Sequence, residues 1–110
     1  MAVEVLTKSA DLLISALCND YFRRKEAIEQ KSVTKRTDTE FRYYNFKIFD
    51  AVSEIAGEKY AETYINEIGK RIGYAKSELY FLSEVTYKKY KKLIKENIAK
   101  KLHLIDDIAL

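Results

Sequence analysis

A chain of 110 residues with no proline and only three glycines has few means of turning often. Proline is the residue that helix interiors tolerate least and turns use most, so its absence favours long helices joined by short links. All-β architectures, which need frequent Gly, Pro and Asn turns, are disfavoured for the same reason. Hydrophobic residues make up 47% and charged residues 34% of the chain, enough for a modest core under a wetted surface and too apolar for intrinsic disorder. The fold class read from this is all-α: a single helical domain over residues 1–110, built as a compact bundle of four to five helices.

Hydrophobic periodicity places the helices. A first helix is expected over about 2–30, where Leu6, Ala10, Leu13, Leu17 and Tyr21 recur at helical spacing and Ile14, Cys18, Phe22 and Ile28 widen the stripe. The Ser/Thr-rich stretch 31–37 loses that rhythm and reads as the main loop. Thr37 followed by Glu40 fits a capping box for the next helix, and Asp38 is an alternative cap one residue later. Phe41, Tyr44, Ile48, Val52 and Ile55 form its apolar face, and Gly57 suits a left-handed C-cap. A third helix follows over about 58–72, with Ala61, Tyr64, Ile65, Ile68 and Ile72 on one side and Gly73 as its stop. A short helix is expected over 76–82. Ser83 then caps a last helix carrying Tyr87, Tyr90, Leu93, Ile94, Ile98, Leu102 and Ile105 at helical spacing, ahead of a frayed tail from Asp106. The 76–82 helix and the last one are alternatively one continuous rod through Ser83.

The window 65–82 resembles the general helix-turn-helix pattern. Close crossing of two helices needs a small residue midway along the first, which Gly69 supplies, and Gly73 stands where the turn uses a left-handed residue. Ile68, Ile72, Tyr74, Leu79 and Leu82 fall where such a unit buries its apolar side chains. On this reading 76–82 opens a recognition helix, with Ala75, Lys76, Ser77 and Tyr80 facing a groove and Lys70 and Arg71 beside it. That face lacks the Arg, Asn and Gln side chains best suited to bidentate base contacts. Gly69 and Gly73 are equally read as plain packing devices.

Charge is unevenly spread. The net charge is +3, yet residues 84–101 hold seven lysines against Glu84 and Glu96. Lys88, Lys91, Lys92 and Lys95 are therefore candidates for phosphate contacts without sequence preference, alongside Lys70, Arg71, Lys76, Ser77 and Tyr80. A solvated basic face with ordinary Glu84→Lys88 and Glu96→Lys100 pairs is the competing account.

Aromatic residues are the other concentration, with nine Tyr and five Phe in the chain. Phe41, Tyr43, Tyr44, Phe46 and Phe49 crowd one helix. At roughly 100° per residue they cannot all meet one core. Tyr43 and Phe46 point away from the Phe41–Tyr44–Ile48 face and are candidates for an interface with a second copy or another protein.

Catalytic and metal chemistries find little footing. Glu54, Glu58 and Glu62 stand at four-residue steps without a nearby histidine, His103 being the only one. One Cys and one His do not make a zinc set, and no Glu-x-x-His pair, Gly-rich phosphate loop or nucleophile elbow is present. Cys18 sits in an apolar stripe and reads as a small core residue. With no cysteine pair, no run near the roughly 18–20 apolar residues of a membrane span and no signal-like start, the expected location is cytoplasmic.

The expectation is a non-enzymatic binding or regulatory protein with no cofactor and no metal. Its partner is DNA or RNA through 65–82 and the basic last helix, or else another protein or a second copy of itself through the tyrosine-rich faces.

Overall fold

A computed structural model describes residues 6–104, and all of their regular structure is helical. The helices are α1 (Lys8–Asn19), α2 (Tyr21–Gln30), α3 (Lys35–Ala56), α4 (Glu58–Gly69) and α5 (Glu84–Lys101), with one turn of 3₁₀ helix at Tyr74–Lys76. The all-α bundle expected from the sequence is what forms. Residues 2–5, Ile105 and the tail from Asp106 lie outside the described residues.

The expected first helix starts later and is two helices. Leu6 and Thr7 are not helical; the Thr7 hydroxyl accepts the Ala10 amide at 3.0 Å and makes Thr7 the N-cap. The chain then breaks at Asp20, whose carboxylate is held by the Arg23 side chain, with Arg23 Nε donating at 2.6 Å. On either side of the break α1 packs mainly on α4 and α2 on α3, so each half finds its own neighbour. One apolar stripe continues through both halves, which hides the break from periodicity. The buried line of α1 is Ala10, Ile14 and Cys18; Leu13 is turned outward.

α3 begins earlier than the Thr37 box implies. Thr34 is the N-cap, its Oγ1 accepting the Thr37 amide at 3.3 Å, and Thr37 lies inside the first turn. The loop shortens to 31–34 accordingly. Gly57 does separate α3 from α4, but at φ 86° and ψ 156° it is extended rather than left-handed helical. That region is open essentially to glycine alone.

Three helix ends share one device. The amides of Lys31 and Ser32 bond back to Ile28 and Ala27, those of Arg71 and Ile72 to Ile68 and Glu67, and those of His103 and Leu104 to Lys100 and Ala99. Each is a Schellman motif. The left-handed position is filled by Lys31, Arg71 and His103, at φ 53°, 57° and 57°, where glycine is the usual occupant. At Lys31 and Arg71 the positive charge stands by the negative end of the helix dipole, which offsets part of the backbone cost. Lys31→Gly is accordingly expected to stabilise the fold by about 0.5–1 kcal/mol, raising the melting temperature by a few degrees. A lower melting temperature by circular dichroism would show that the Lys31 charge outweighs the strain.

The core draws on every helix. Ile14 and Cys18 of α1, Tyr21 of α2, Ile48 and Val52 of α3, Tyr64, Ile65 and Ile68 of α4, and Tyr87, Ile94 and Ile98 of α5 form one buried cluster. Leu79 enters it from the link between α4 and α5.

Candidate functional site

The link between α4 and α5 is the window that resembled a helix-turn-helix. Its burial pattern holds, since Ile68 and Leu79 are buried and Ile72, Tyr74 and Leu82 are half-buried. The second helix does not exist. Past the 3₁₀ turn at Tyr74–Lys76 the chain runs through turns to Ser83, with no α-helix over 76–82. The left-handed residue is Arg71, and Gly73 is extended at φ −89°. Gly69 does permit a close crossing, as its position suggested, but against the end of α1.

The segment is bonded instead to Glu67. Its side chain is buried beside Tyr64 and Ile68 on the inner face of α4. One carboxylate oxygen accepts the Ser77 hydroxyl at 2.7 Å and the Tyr87 hydroxyl at 2.8 Å; the other accepts the Glu78 amide at 2.8 Å. Ser77 Oγ in turn accepts the Leu79 amide at 2.8 Å. Tyr74 closes the far side, its hydroxyl donating to the Leu82 carbonyl at 2.6 Å. One amide and two hydroxyls are thus committed to one carboxylate. Ser77, expected in a groove, is buried. Lys76 is exposed and Tyr80 retains 76% of its surface, but neither is presented by an α-helix.

Sequence reasoning passed over Glu67. A carboxylate at i+3 from Tyr64 and next to Ile68, on a stripe otherwise apolar, was the available signal. Burial and the Glu67 carboxylate both push the Tyr87 phenol above its ordinary range. Tyr64, stacked on Tyr87 with ring centres 5.7 Å apart, is pushed up to about 12, chiefly by burial.

The basic candidates divide. Arg71, Lys91 and Lys95 line one pocket of about 220 Å³ with Ser15 and Ile72. Lys91 Nζ donates to the Ile72 carbonyl at 2.5 Å, and Lys95 pairs with Asp11 at 3.0 Å. Lys88 pairs with Glu84 at 2.8 Å in the expected i,i+4 manner. Lys92 is exposed on α5, and Lys70 borders a separate hollow with Cys18, Asn19, Phe22 and Asn66. Lys70, Lys76, Lys88 and Lys92 do not join the Arg71 pocket.

The aromatic candidates divide as well. Tyr43 and Phe46 are both exposed, in line with their expected direction. Phe46 borders a groove of about 450 Å³ between α2 and α3, walled by Tyr21, Ile28 and Phe49 and rimmed by Lys25, Glu29 and Arg42. Tyr43 is outside that groove, edge-on to Tyr44 with the Lys47 ammonium 5.7 Å from its ring centre. Two of the lining residues, Tyr21 on α2 and Asn45 on α3, belong to one hydrogen-bonded set with Arg24. Arg24, only 3% exposed, donates from Nε to Asn45 Oδ1 at 2.7 Å and from its terminal nitrogen to the Leu17 carbonyl at 2.6 Å. Asn45 Nδ2 donates to the Tyr21 carbonyl at 3.1 Å. Desolvation lowers the Arg24 guanidinium from its usual value, and Asp20 at 3.7 Å counters it. Arg24 and Asn45 were also unforeseen, although each interrupts an apolar face.

Other titratable groups serve the scaffold. Glu54 accepts from Asn97 and Lys101, and Glu62 from Tyr21 and Lys25, so two of the three carboxylates of the acidic stripe are spent on separate cross-links, while Glu58 is exposed at the start of α4. The Cys18 thiol is fully buried and pushed up to about 12 by that burial, which suits a core residue and not a nucleophile. No three His, Cys, Asp or Glu side chains among the described residues are grouped as metal ligands, and no helix there is long and apolar enough to cross a membrane. Compared with known proteins, the chain matches no family model, no curated sequence and no solved structure.

Proposed function

We propose that this chain acts by binding rather than by catalysis, as a helical scaffold that self-associates through the α2–α3 face. The observation that carries the reading is Phe46, which keeps 66% of its surface exposed beside an apolar groove of about 450 Å³. A protruding ring and a hollow on one patch are the elements of a two-fold interface, in which each copy offers its knob to the other's groove. The rim supports the same reading: Lys25, Glu29 and Arg42 stand around an apolar centre, the polar border that a protein interface carries. The buried Arg24–Asn45 clip holds the groove walls in place before association, which lowers the ordering cost of binding.

Recognition of base sequence by the 65–82 window loses its support, because no α-helix forms over 76–82 to enter a groove. What supports a nucleic-acid partner is the set of cations on α5 and at the end of α4, which suits contacts to phosphate alone.

Light scattering on the full chain at increasing concentration tests the scaffold reading. The expected mass is twice that of the monomer, and Phe46→Glu is expected to weaken association on the order of 10²–10⁴-fold, since two rings are lost from each interface. Tyr43→Lys, outside the groove, is expected to weaken it far less. A wild-type chain that stays monomeric at about millimolar concentration, well above the range of a standard-sized interface, removes the proposal.

A further inference from the structure

The end of α4 gathers more positive charge than the fold requires. Arg71, Lys91 and Lys95 line a single pocket, and Asp11, paired with Lys95 at 3.0 Å, is the only acidic ion-pair partner these three have among the described residues. Lys91 has a structural task, since its ammonium covers the Ile72 carbonyl just past the helix end. Lys95 is answered by Asp11. Arg71 is surplus: its backbone is fixed by the left-handed turn that closes α4, while its guanidinium makes no ion pair among the described residues.

Hydrogen-bonding capacity is surplus too. An ammonium has three donors and a guanidinium five. Lys91 and Lys95 each commit one donor in the contacts above, so most of the set has no protein acceptor there, and the buried Ser15 lines the same pocket. Burial lowers the Lys91 ammonium from its usual value, with Lys95 and Arg71 pushing the same way against Glu67 and Asp11. An anion seated among the three cations relieves that repulsion.

We infer that the pocket bounded by Arg71, Lys91 and Lys95 binds a phosphate-type oxyanion. Its volume of about 220 Å³ admits a phosphate group and part of whatever carries it. A planar guanidinium matches two phosphate oxygens, while the two ammonium groups act as point charges on the rest. Such a phosphate belongs either to a small free phosphate compound or to a nucleic-acid backbone. Oxyanion binding here does not depend on self-association through α2–α3.

The test is a titration of isotope-labelled full chain with inorganic pyrophosphate, ionic strength held constant with chloride, followed by amide shifts at 71–73 and 91–95. Saturable shifts confined to those residues are expected, at about millimolar affinity or better. Arg71→Gly removes the guanidinium and fits the existing left-handed backbone, so folding is preserved; it is expected to weaken binding about tenfold. Arg71→Lys is expected to restore part of the loss, and Lys92→Ala, outside the pocket, to change nothing. A second arm uses a short DNA duplex. Binding that pyrophosphate displaces and Arg71→Gly weakens assigns the site to backbone phosphate, whereas pyrophosphate binding without duplex binding assigns it to a small ligand. Shifts that do not saturate, or that survive Arg71→Gly unchanged, overturn the inference. So does duplex binding that falls with salt alone and ignores Arg71→Gly.

Discussion

Gly69→Ala is expected to destabilise the fold by about 3 kcal/mol or more, lowering the melting temperature by roughly 10–25 °C. An added Cβ would stand 2.5 Å from Asn19 N, 2.6 Å from Asn19 Cα and 2.8 Å from Cys18 C. All three are backbone atoms at the end of α1, so no side chain can swing away to make room. Relief requires α1 and α4 to part, and the parting loosens Cys18 from Ile65 and Ile68 in the shared core. Alanine's better helix propensity returns at most about 1 kcal/mol, and less at the final residue of a helix. Against a typical total of about 5–15 kcal/mol, the net loss is a large fraction. Gly73→Ala is the control: a Cβ there would have nothing within 4 Å and φ is −89°, so the variant is expected to melt with the wild type or slightly above it. Equal melting temperatures for Gly69→Ala and wild type would dispose of the close-approach account.

The two glycines also show where sequence reasoning reached and where it stopped. That Gly69 admits a neighbouring helix was legible, because a small residue on an apolar helix face has few other uses. Which helix it admits was not, since spacing along a chain does not name a partner distant in sequence. Gly73 looked equivalent and is not; the left-handed turn belongs to Arg71, and Lys31 and His103 fill the same role elsewhere. Left-handed residues are found in sequence by looking for glycine, so three basic ones pass unseen. The outward direction of Tyr43 and Phe46 was legible, because five aromatics at 100° steps cannot share one side. The break at Asp20 was not, because the apolar stripe runs through it. The convergence of Arg71 with Lys91 and Lys95 was legible only as a set of cations scattered along the chain. Their meeting depends on how α4 and α5 pack.

The largest gap between sequence and structure was the segment 76–82, and Glu67 is the test of why. If its carboxylate holds that segment, Glu67→Leu should cost on the order of 4 kcal/mol. Leucine fills a similar volume, so the loss reports the stranded donors: the Ser77 and Tyr87 hydroxyls and the Glu78 amide, each left in a buried or half-buried place at about 1–3 kcal/mol. The hydroxyls can rotate toward other acceptors; the amide cannot. Glu67→Gln separates the two kinds of donor. Its carbonyl oxygen can still receive Ser77 and Tyr87, but its NH₂ then faces the Glu78 N–H, donor against donor, so about half the loss is expected. Tyr87→Phe removes a donor and leaves no buried group unpaired at that position, so about 1 kcal/mol is expected. Denaturant unfolding ranks the three variants, and amide exchange locates the damage. In Glu67→Gln, the amides of 77–82 should exchange faster while those of α3 keep their protection. A Glu67→Leu variant as stable as wild type, with 77–82 still protected, would mean that Leu79 and the Tyr74 hydroxyl hold the segment without the carboxylate.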